Sequence, residues 1–410
     1  MPLIVQKYGG TSVGDPDRIA NVANRVVKGW RDGYKMVVVL SAMAGETDRL
    51  INLATELAEE PDPRELDVLL ATGEQVTVSL FSMFLRGQGV PAASLLSHQA
   101  RIYTDRSYGR ARIIGIDTAR IREELKKGRV VTVAGFQGVD EVGNITTLGR
   151  GGSDTTALAI AASLKADLCE IYTDVDGVYT TDPRIYDKAR RLDRVAYDEM
   201  LEMASLGAKV LEIRSVSFAK RYNVPLRVRS TFTSNPGTLV TAEDEEMEAI
   251  PVSGVAFSKN DARVTITRVP DRPGIAVRLF KPVADANIVV DMIIQNTSID
   301  GLTDLTFTVP KADLKKTLEI VEPVAQEIQA EQVLSDENIA KVSIVGVGMR
   351  NNAGVAAHMF DAMAAEGINI LMISTSEIKI SCIIEDKYGE LAVRVLHDAF
   401  GLDQAPPPKL

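Results

Sequence analysis

Cysteine is scarce. The chain of 410 residues carries only Cys169 and Cys382, so no disulfide framework braces it and a reducing compartment suits it. Three scattered histidines, even combined with those cysteines, offer no zinc-ligand spacing. No unbroken apolar run approaches the roughly 18 residues that would cross a bilayer. The N-terminus reaches only from Met1 to Val5 before Gln6 and Lys7, too short for a signal-peptide core. Positive charge is in deficit, with a net charge of −10, which argues against nucleic acid or an anionic membrane as the main partner. Small anions can still meet local lysines and helix N-termini. The expectation is a cytoplasmic protein.

What is present is an ordinary globular composition, 45% hydrophobic and 25% charged, long enough for two or three domains. One stretch stands out: Thr146-Thr147-Leu148-Gly149-Arg150-Gly151-Gly152-Ser153-Asp154-Thr155-Thr156. It lies between an apolar run ending in Gly135-Phe136-Gln137-Gly138 and an alanine-rich helix, Ala157 to Lys165. Glycines, hydroxyls and the first N–H groups of a helix make an anion site, and Arg150 adds a planar fork for a carboxylate or phosphate. Asp154 reads equally as a plain N-cap or as a catalytic residue.

Elsewhere strands alternate with helices. Leu3-Ile4-Val5 leads to Lys7 and Gly9-Gly10-Thr11-Ser12, then to a helix with Asp15 as N-cap, Pro16 in its first turn and Ile19, Val22 and Val26 on one face. This is not a Walker A loop, because the Gly-Lys-Ser/Thr ending is missing. Met36 to Leu40 delivers Ser41 to a loop with Gly45 and Thr47. Helical patterns cover Leu50 to Leu57 and Glu65 to Phe84, the second with Thr72-Gly73-Glu74 in its middle, where glycine suits a close approach. Val130 to Ala134, Cys169 to Tyr172 and Leu226 to Arg229 read as strands, and Tyr197 to Lys209 as a helix. Residues 1 to about 230 therefore predict an α/β layer with a mainly parallel sheet, whose ligands sit beyond the strand C-terminal ends. Lys7, Ser41, Gly135, Arg150 and Thr173 fall at such ends.

Taken together, Lys7 to Ser12, Ser41-Ala42-Met43, Gly73-Glu74, Leu148 to Thr155, Thr173 to Arg184 and Gly207-Ala208-Lys209-Val210 resemble the aspartate kinase family, of the amino-acid-kinase fold. The resemblance spans essentially the whole chain and implies a three-layer α/β sandwich. It also implies transfer of a phosphoryl group from ATP, as its Mg²⁺ complex, to the β-carboxylate of L-aspartate. By resemblance Lys7, Arg150 and Asp154 are catalytic, with Asp154 orienting Lys7 or nearby amides rather than acting as a base. Ser41, Thr47, Glu74, Arg150, Gly151, Gly152 and Ser153 would hold aspartate, Glu74 taking the ammonium and Arg150 the α-carboxylate. Lys7, Gly9, Gly10, Ser41, Thr173, Asp174, Tyr179, Arg184 and Lys209 would hold the nucleotide. No resident metal site is expected. Rival readings are a glutamate, N-acetylglutamate or nucleotide kinase of the same fold, or a non-catalytic amino-acid sensor.

Beyond the acidic Glu243 to Glu246 the chain repeats with a period of 80. Gly274, Ala276, Phe280, Ala284, Ile288, Val290 and Met292 match Gly354, Ala356, Phe360, Ala364, Ile368, Ile370 and Met372. Each unit reads strand, glycine-started helix, strand, strand, helix, resembling the ferredoxin-like (βαββαβ) ACT module. The second unit lacks a closing strand, and Val252 to Phe257 lies unclaimed upstream. The expected domains are 1–246 (kinase), 261–340 (first ACT module, inserted), 247–260 plus 341–402 (second ACT module) and a tail, 403–410. The resemblance implies lysine and/or threonine as inhibitors, with Asp271, Gly274, Ile275, Ala276, Gln295, Asn369 and Ile370 as effector contacts, and oligomerisation through these modules. Met247, just before the displaced strand, is a candidate internal start for a small subunit of an α₂β₂ assembly. Ile344 to Met349 imitates a dinucleotide fingerprint, but its third glycine position holds Asn351.

Overall fold

A computed structural model describes residues 1–206, 210–296 and 300–404. It divides into two compact units, Met1–Tyr179 with Arg191–Met247, and Thr180–Arg190 with Glu248–Leu410.

The first unit contains β1 (Leu3–Tyr8), β2 (Lys35–Leu40), β3 (Ala92–Leu95), β4 (Ile102–Thr104), β5 (Ile113–Ile116), β6 (Val130–Ala134), β7 (Gln137–Val139), β8 (Ile145–Thr147), β9 (Leu168–Thr173), β10 (Arg194–Ala196), β11 (Leu226–Ser230) and β12 (Thr238–Thr241). Eight of them form one sheet in the order β10-β12-β11-β9-β1-β2-β6-β3. Only β11 and β12 run antiparallel within it. Alternation along β1 sends Gln6 and Tyr8 to one face and Val5 and Lys7 to the other. Tyr8 joins a core with Val22 and Val26 of the helix Pro16–Arg31 and with Val78 and Phe81 of the helix Thr72–Gly87. The Lys7 face carries the helix Gly152–Leu164, buried along almost its whole length. Asp15 caps its helix as expected, accepting from the Arg18 N–H at 2.8 Å.

Two features differ from the sequence reading. A second sheet, β5-β4-β7-β8, lies between β3 and the helix Gly152–Leu164 in chain order. Its strands of three or four residues are too short to show alternation. The expected helix Glu65–Phe84 is broken at Ala71 into Pro63–Leu70 and Thr72–Gly87, so Gly73 and Glu74 open the second helix instead of lying in mid-helix. Pro63–Gly87 as a whole is long and apolar enough to cross a membrane, but half of its most apolar window is buried in the fold. Asp67 and Glu74 within it have buried partners, which marks a core element.

In the second unit β13 (Gly254–Ser258), β14 (Asp261–Pro270), β15 (Ile293–Gln295), β16 (Leu302–Pro310), β17 (Gln332–Asp336), β18 (Ile339–Val345), β19 (Met372–Thr375) and β20 (Lys379–Glu385) make two antiparallel sheets, β15-β16-β14-β17 and β13-β18-β20-β19. The unclaimed upstream strand does complete the second sheet, with Gly254 opposite Val345 and Ser258 opposite Lys341. The 80-residue repeat is kept in backbone detail. Gly274 and Gly354 open the helices Ile275–Asp285 and Val355–Ala365 at φ of 94° and 93°, a conformation that favours glycine. The fingerprint-like Gly346 and Gly348 pack against the backbone of Ile250 and Pro251, so their bareness serves chain packing. Thr180–Arg190 belongs to this unit because the Val255 N–H donates to the Thr180 carbonyl at 2.7 Å, the Thr180 hydroxyl lies 2.9 Å from His397 Nε2, and Tyr186 donates to Asp398 at 2.6 Å.

Candidate active site

Because β9, β1, β2 and β6 are neighbours and parallel, Thr173, Lys7, Ser41 and Gly135 emerge at one edge. Hydrogen bonds stitch the exits together: Gly9 N–H to Tyr172 O at 3.3 Å, Ser41 N–H to Tyr8 O at 3.1 Å and Gly135 N–H to Leu40 O at 3.0 Å. Arg150 does not share this origin. It follows β8 of the small sheet, is exposed, and sits in the turn that starts the helix Gly152–Leu164.

Lys7 Nζ lies 2.5 Å from Asp154 Oδ1, both side chains 12% exposed. This is an ion pair by distance and charge. Asp154 is therefore not the N-cap. That position belongs to Gly151, at φ 69°, where a Cβ would meet Glu212 Cγ at 2.4 Å. Gly152 and Ser153 are buried in the first turn. Gly10 and Gly73 both close on Ala42, a Cβ on either coming to 2.8 Å of it, which accounts for a glycine early in a helix.

Glu74 is 3% exposed. Its Oε1 accepts from the Ala42 N–H at 2.9 Å, while Oε2 is buried without a partner. Burial pushes its carboxyl up from 4.5 to about 7. Ser41 and Thr47 are half-buried, Thr47 in the first turn of the helix Glu46–Leu57.

On the other side of β1, the Thr173 hydroxyl donates to Asp174 at 3.1 Å and Tyr179 donates to Asp176 at 2.8 Å. Arg184 belongs to the second unit, where its guanidinium forks Asp182 at 2.7–3.2 Å with the side chain 88% exposed. Lys209 lies outside the described residues. Beneath Thr173 is a group that sequence reasoning missed. Tyr8 stacks on Tyr172 at 4.5 Å, and Glu170 accepts from Gln6, Tyr172 and Arg229. Arg25 covers Tyr172 and donates to the carbonyls of Ser230, Thr231 and Thr233. All but the Tyr172–Glu170 bond join elements far apart in the chain, so no local pattern announced the group. Among the described residues no three His, Cys, Asp or Glu side chains gather as metal ligands.

Of the expected effector contacts, Asp271, Gly274, Ile275, Ala276 and Gln295 lie on the first module and Asn369 and Ile370 on the second. Ala276 is exposed in the first helical turn and Gln295 exposed at the end of β15.

Residues 2–230 match the amino acid kinase family, and residues 263–326 and 342–400 match ACT domains. An aspartate kinase of Pseudomonas putida is 60% identical over 98% of both chains. The chain belongs to the aspartate kinase family. Among solved structures, Escherichia coli aspartokinase III with aspartate and ADP (R-state) is 28% identical, covers 97% of this chain and 99% of its own, and superposes with a TM-score of 0.76. The same enzyme with lysine and aspartate (T-state) is 29% identical with the same coverage and TM-score. The chain is thus an enzyme of that family, and the reading as an inert sensor falls away. The mainly parallel sheet followed by two ACT folds agrees with the family.

Proposed function

We propose that this enzyme transfers the γ-phosphoryl group of ATP, brought as its Mg²⁺ complex, to the β-carboxylate of L-aspartate, giving 4-phospho-L-aspartate and ADP. That reaction would open lysine, threonine and methionine biosynthesis. The observation that carries the reading is Glu74 Oε2, a buried carboxylate oxygen without a partner, which suits the ammonium of a free amino acid. It disfavours an N-acylated substrate. Arg150 takes the α-carboxylate with the amides of Gly151 and Ser153, Gly152 shaping the turn through its N–H to the Gly149 carbonyl at 3.0 Å, and Ser41 and Thr47 position the β-carboxylate.

A carboxylate with an ordinary pKa of about 3.9 is already ionised at neutral pH, so no general base is required. The work is to bring two anions together and stabilise charge spreading over the transferred group. Lys7 supplies a fixed cation at the exit of the central strand, Asp154 holds its ammonium, and the N–H group of Gly10 adds a donor, while Gly9, whose N–H is held by the Tyr172 carbonyl, lets the backbone approach the phosphates. Thr173, Asp174 and Tyr179 are assigned to the nucleotide, with Lys209 added by resemblance alone. The test is acyl-phosphate formation, trapped with hydroxylamine, from aspartate, glutamate and N-acetylglutamate in turn. Aspartate alone should turn over, and preference for either other acceptor overturns the assignment.

The kinase unit is assigned to 1–246 apart from Thr180–Arg190, and the ACT modules to 261–340 and to 247–260 with 341–402. Lysine and/or threonine bound there inhibit the enzyme, an assignment supported by the lysine complex of the E. coli relative. N–H groups at the Gly274 and Gly354 helix starts suit an effector carboxylate, with Asp271, Ile275, Gln295, Asn369 and Ile370 beside it. Ala276→Phe should relieve inhibition at least tenfold, by the inhibitor concentration halving activity, while uninhibited activity stays near wild type. Full inhibition, or outright loss of activity, counts against the site.

Subunits are expected to associate through these modules, with a small chain started internally at Met247. Met247 is buried in the short helix Glu245–Glu248, and a chain beginning there retains β13 and hence both complete sheets. It lacks Thr180–Arg190, the partner of Val255 and His397. Expression of the unaltered gene should give a companion chain of the ACT modules that disappears with Met247→Leu. A single full-length band in both cases refutes it.

A further inference from the structure

Asp67 is a carboxylate that the proposed reaction does not use. It lies on the helix Pro63–Leu70 and is 1% exposed. It accepts the Thr147 N–H at 2.8 Å, the Thr147 hydroxyl at 2.6 Å and the Gly109 N–H at 3.0 Å from both its oxygens. Charge-assisted bonds of this kind are the strong ones, and losing one inside a protein leaves a buried group unsatisfied.

What Asp67 grips matters more than the grip itself. Thr147 is the last residue of β8, and its carbonyl accepts from the Ala111 N–H at 2.8 Å. Next in the chain, the Leu148 N–H donates to the Phe136 carbonyl at 2.9 Å. Only Gly149-Arg150-Gly151 then separates this fixed post from the helix Gly152–Leu164, and both glycines have positive φ, 74° and 69°. Arg150 thus rides on a turn whose first post is tied down by Asp67. Gly109 closes over the same turn, since a Cβ on Gly149 would come to 3.1 Å of the Gly109 carbonyl.

The other end of the corner is tied as well. Gln137 donates to the Ala71 carbonyl at 3.0 Å, where the two helices meet, and Glu74 just beyond accepts from Ala42. One helical corner therefore carries Asp67 on its first arm and Glu74 on its second. The first fixes the turn that presents Arg150. The second is the group assigned to the substrate ammonium.

We propose that Asp67 is a positioning residue for the amino-acid substrate: through Thr147 it sets the distance and angle between Arg150 and Glu74, and so the fit of a free α-amino acid. This rests on the assignment of Arg150 to the substrate α-carboxylate. A misplacement near 1 Å costs on the order of a hundredfold in a well-oriented site. Asp67→Asn places an amide N–H₂ against donors, and should raise KM for aspartate at least tenfold while KM for ATP stays within twofold. Thr147→Val, which keeps the backbone N–H, should shift the aspartate constant in the same direction by a smaller factor, and Thr147→Ser should restore it.

Equal damage to both Michaelis constants, an unchanged aspartate constant in folded Asp67→Asn, or identical behaviour of the two Thr147 variants overturns the role. If Asp67→Asn does not fold, the Thr147 pair decides alone. Arg150→Ala, measured alongside, separates the two claims. An unchanged aspartate constant there overturns the Arg150 assignment, whereas a raised one with a normal constant in Asp67→Asn overturns only the positioning.

Discussion

Lys7→Ala is expected to lower the turnover number by about 10²–10³, the scale seen when one preorganised electrostatic stabiliser is removed, with KM for aspartate changing far less. The asymmetry follows from where the charge acts. Lys7 stands at the exit of the central strand, with its ammonium 2.5 Å from Asp154. In the ground state that carboxylate already compensates most of its charge, so little is left for binding aspartate. As the phosphoryl group leaves ADP, negative charge builds on its oxygens and a fixed cation nearby gains value. A group that counts mainly in the transition state lowers kcat and kcat/KM together. Steady-state kinetics at saturating MgATP check this. A turnover number within about threefold of wild type, less than ~1 kcal/mol of barrier, removes Lys7 from the chemistry.

How much of this was legible in the sequence depends on how local each cause is. The helix at Pro16 was readable because its cap, its proline and its apolar face lie within a dozen residues. The displaced strand β13 was readable for a different reason: the repeat made its absence from the second module visible. Lys7, Ser41, Gly135 and Thr173 were placed on one edge because parallel α/β topology puts strand exits there whatever the details. Arg150 is different, since the strand before it belongs to a small sheet whose elements are too short to show a period. Asp67 carries no sequence signal at all. It reads as a polar residue in a helical pattern, and only the fold brings Gly109 and Thr147 to it. Thr173 to Arg184 likewise reads as one nucleotide segment in the sequence, because the ties of Thr180 and Tyr186 to Val255, His397 and Asp398 are long-range.

Glu74→Gln should make the enzyme worse and the fold more stable. In the folded chain the Glu74 carboxyl titrates at about 7 because burial disfavours its charge. Between its unfolded value of 4.5 and about 7 the folded state therefore holds the extra proton. Stability contributed by this group falls as pH rises through that window, and the full penalty is present above it. At pH 8 it is on the order of 3 kcal/mol. Glutamine carries no charge there and can still accept from the Ala42 N–H, so the variant should melt at a higher temperature than wild type at pH 8. The difference should vanish near pH 4. Catalysis should move the other way. The ionised carboxylate is the form that receives the substrate ammonium, so wild-type kcat/KM for aspartate should fall about tenfold per pH unit below 7, a limb that kcat lacks because bound ammonium keeps Glu74 ionised. Glu74→Gln should raise KM for aspartate by roughly a hundredfold, the scale of losing one partner of a desolvated charge pair. It should flatten the acid limb and leave KM for ATP within twofold. Melting curves and pH profiles on the same two proteins check both halves. An acid limb that survives in the glutamine variant, or equal damage to both Michaelis constants, excludes Glu74 from the ammonium site.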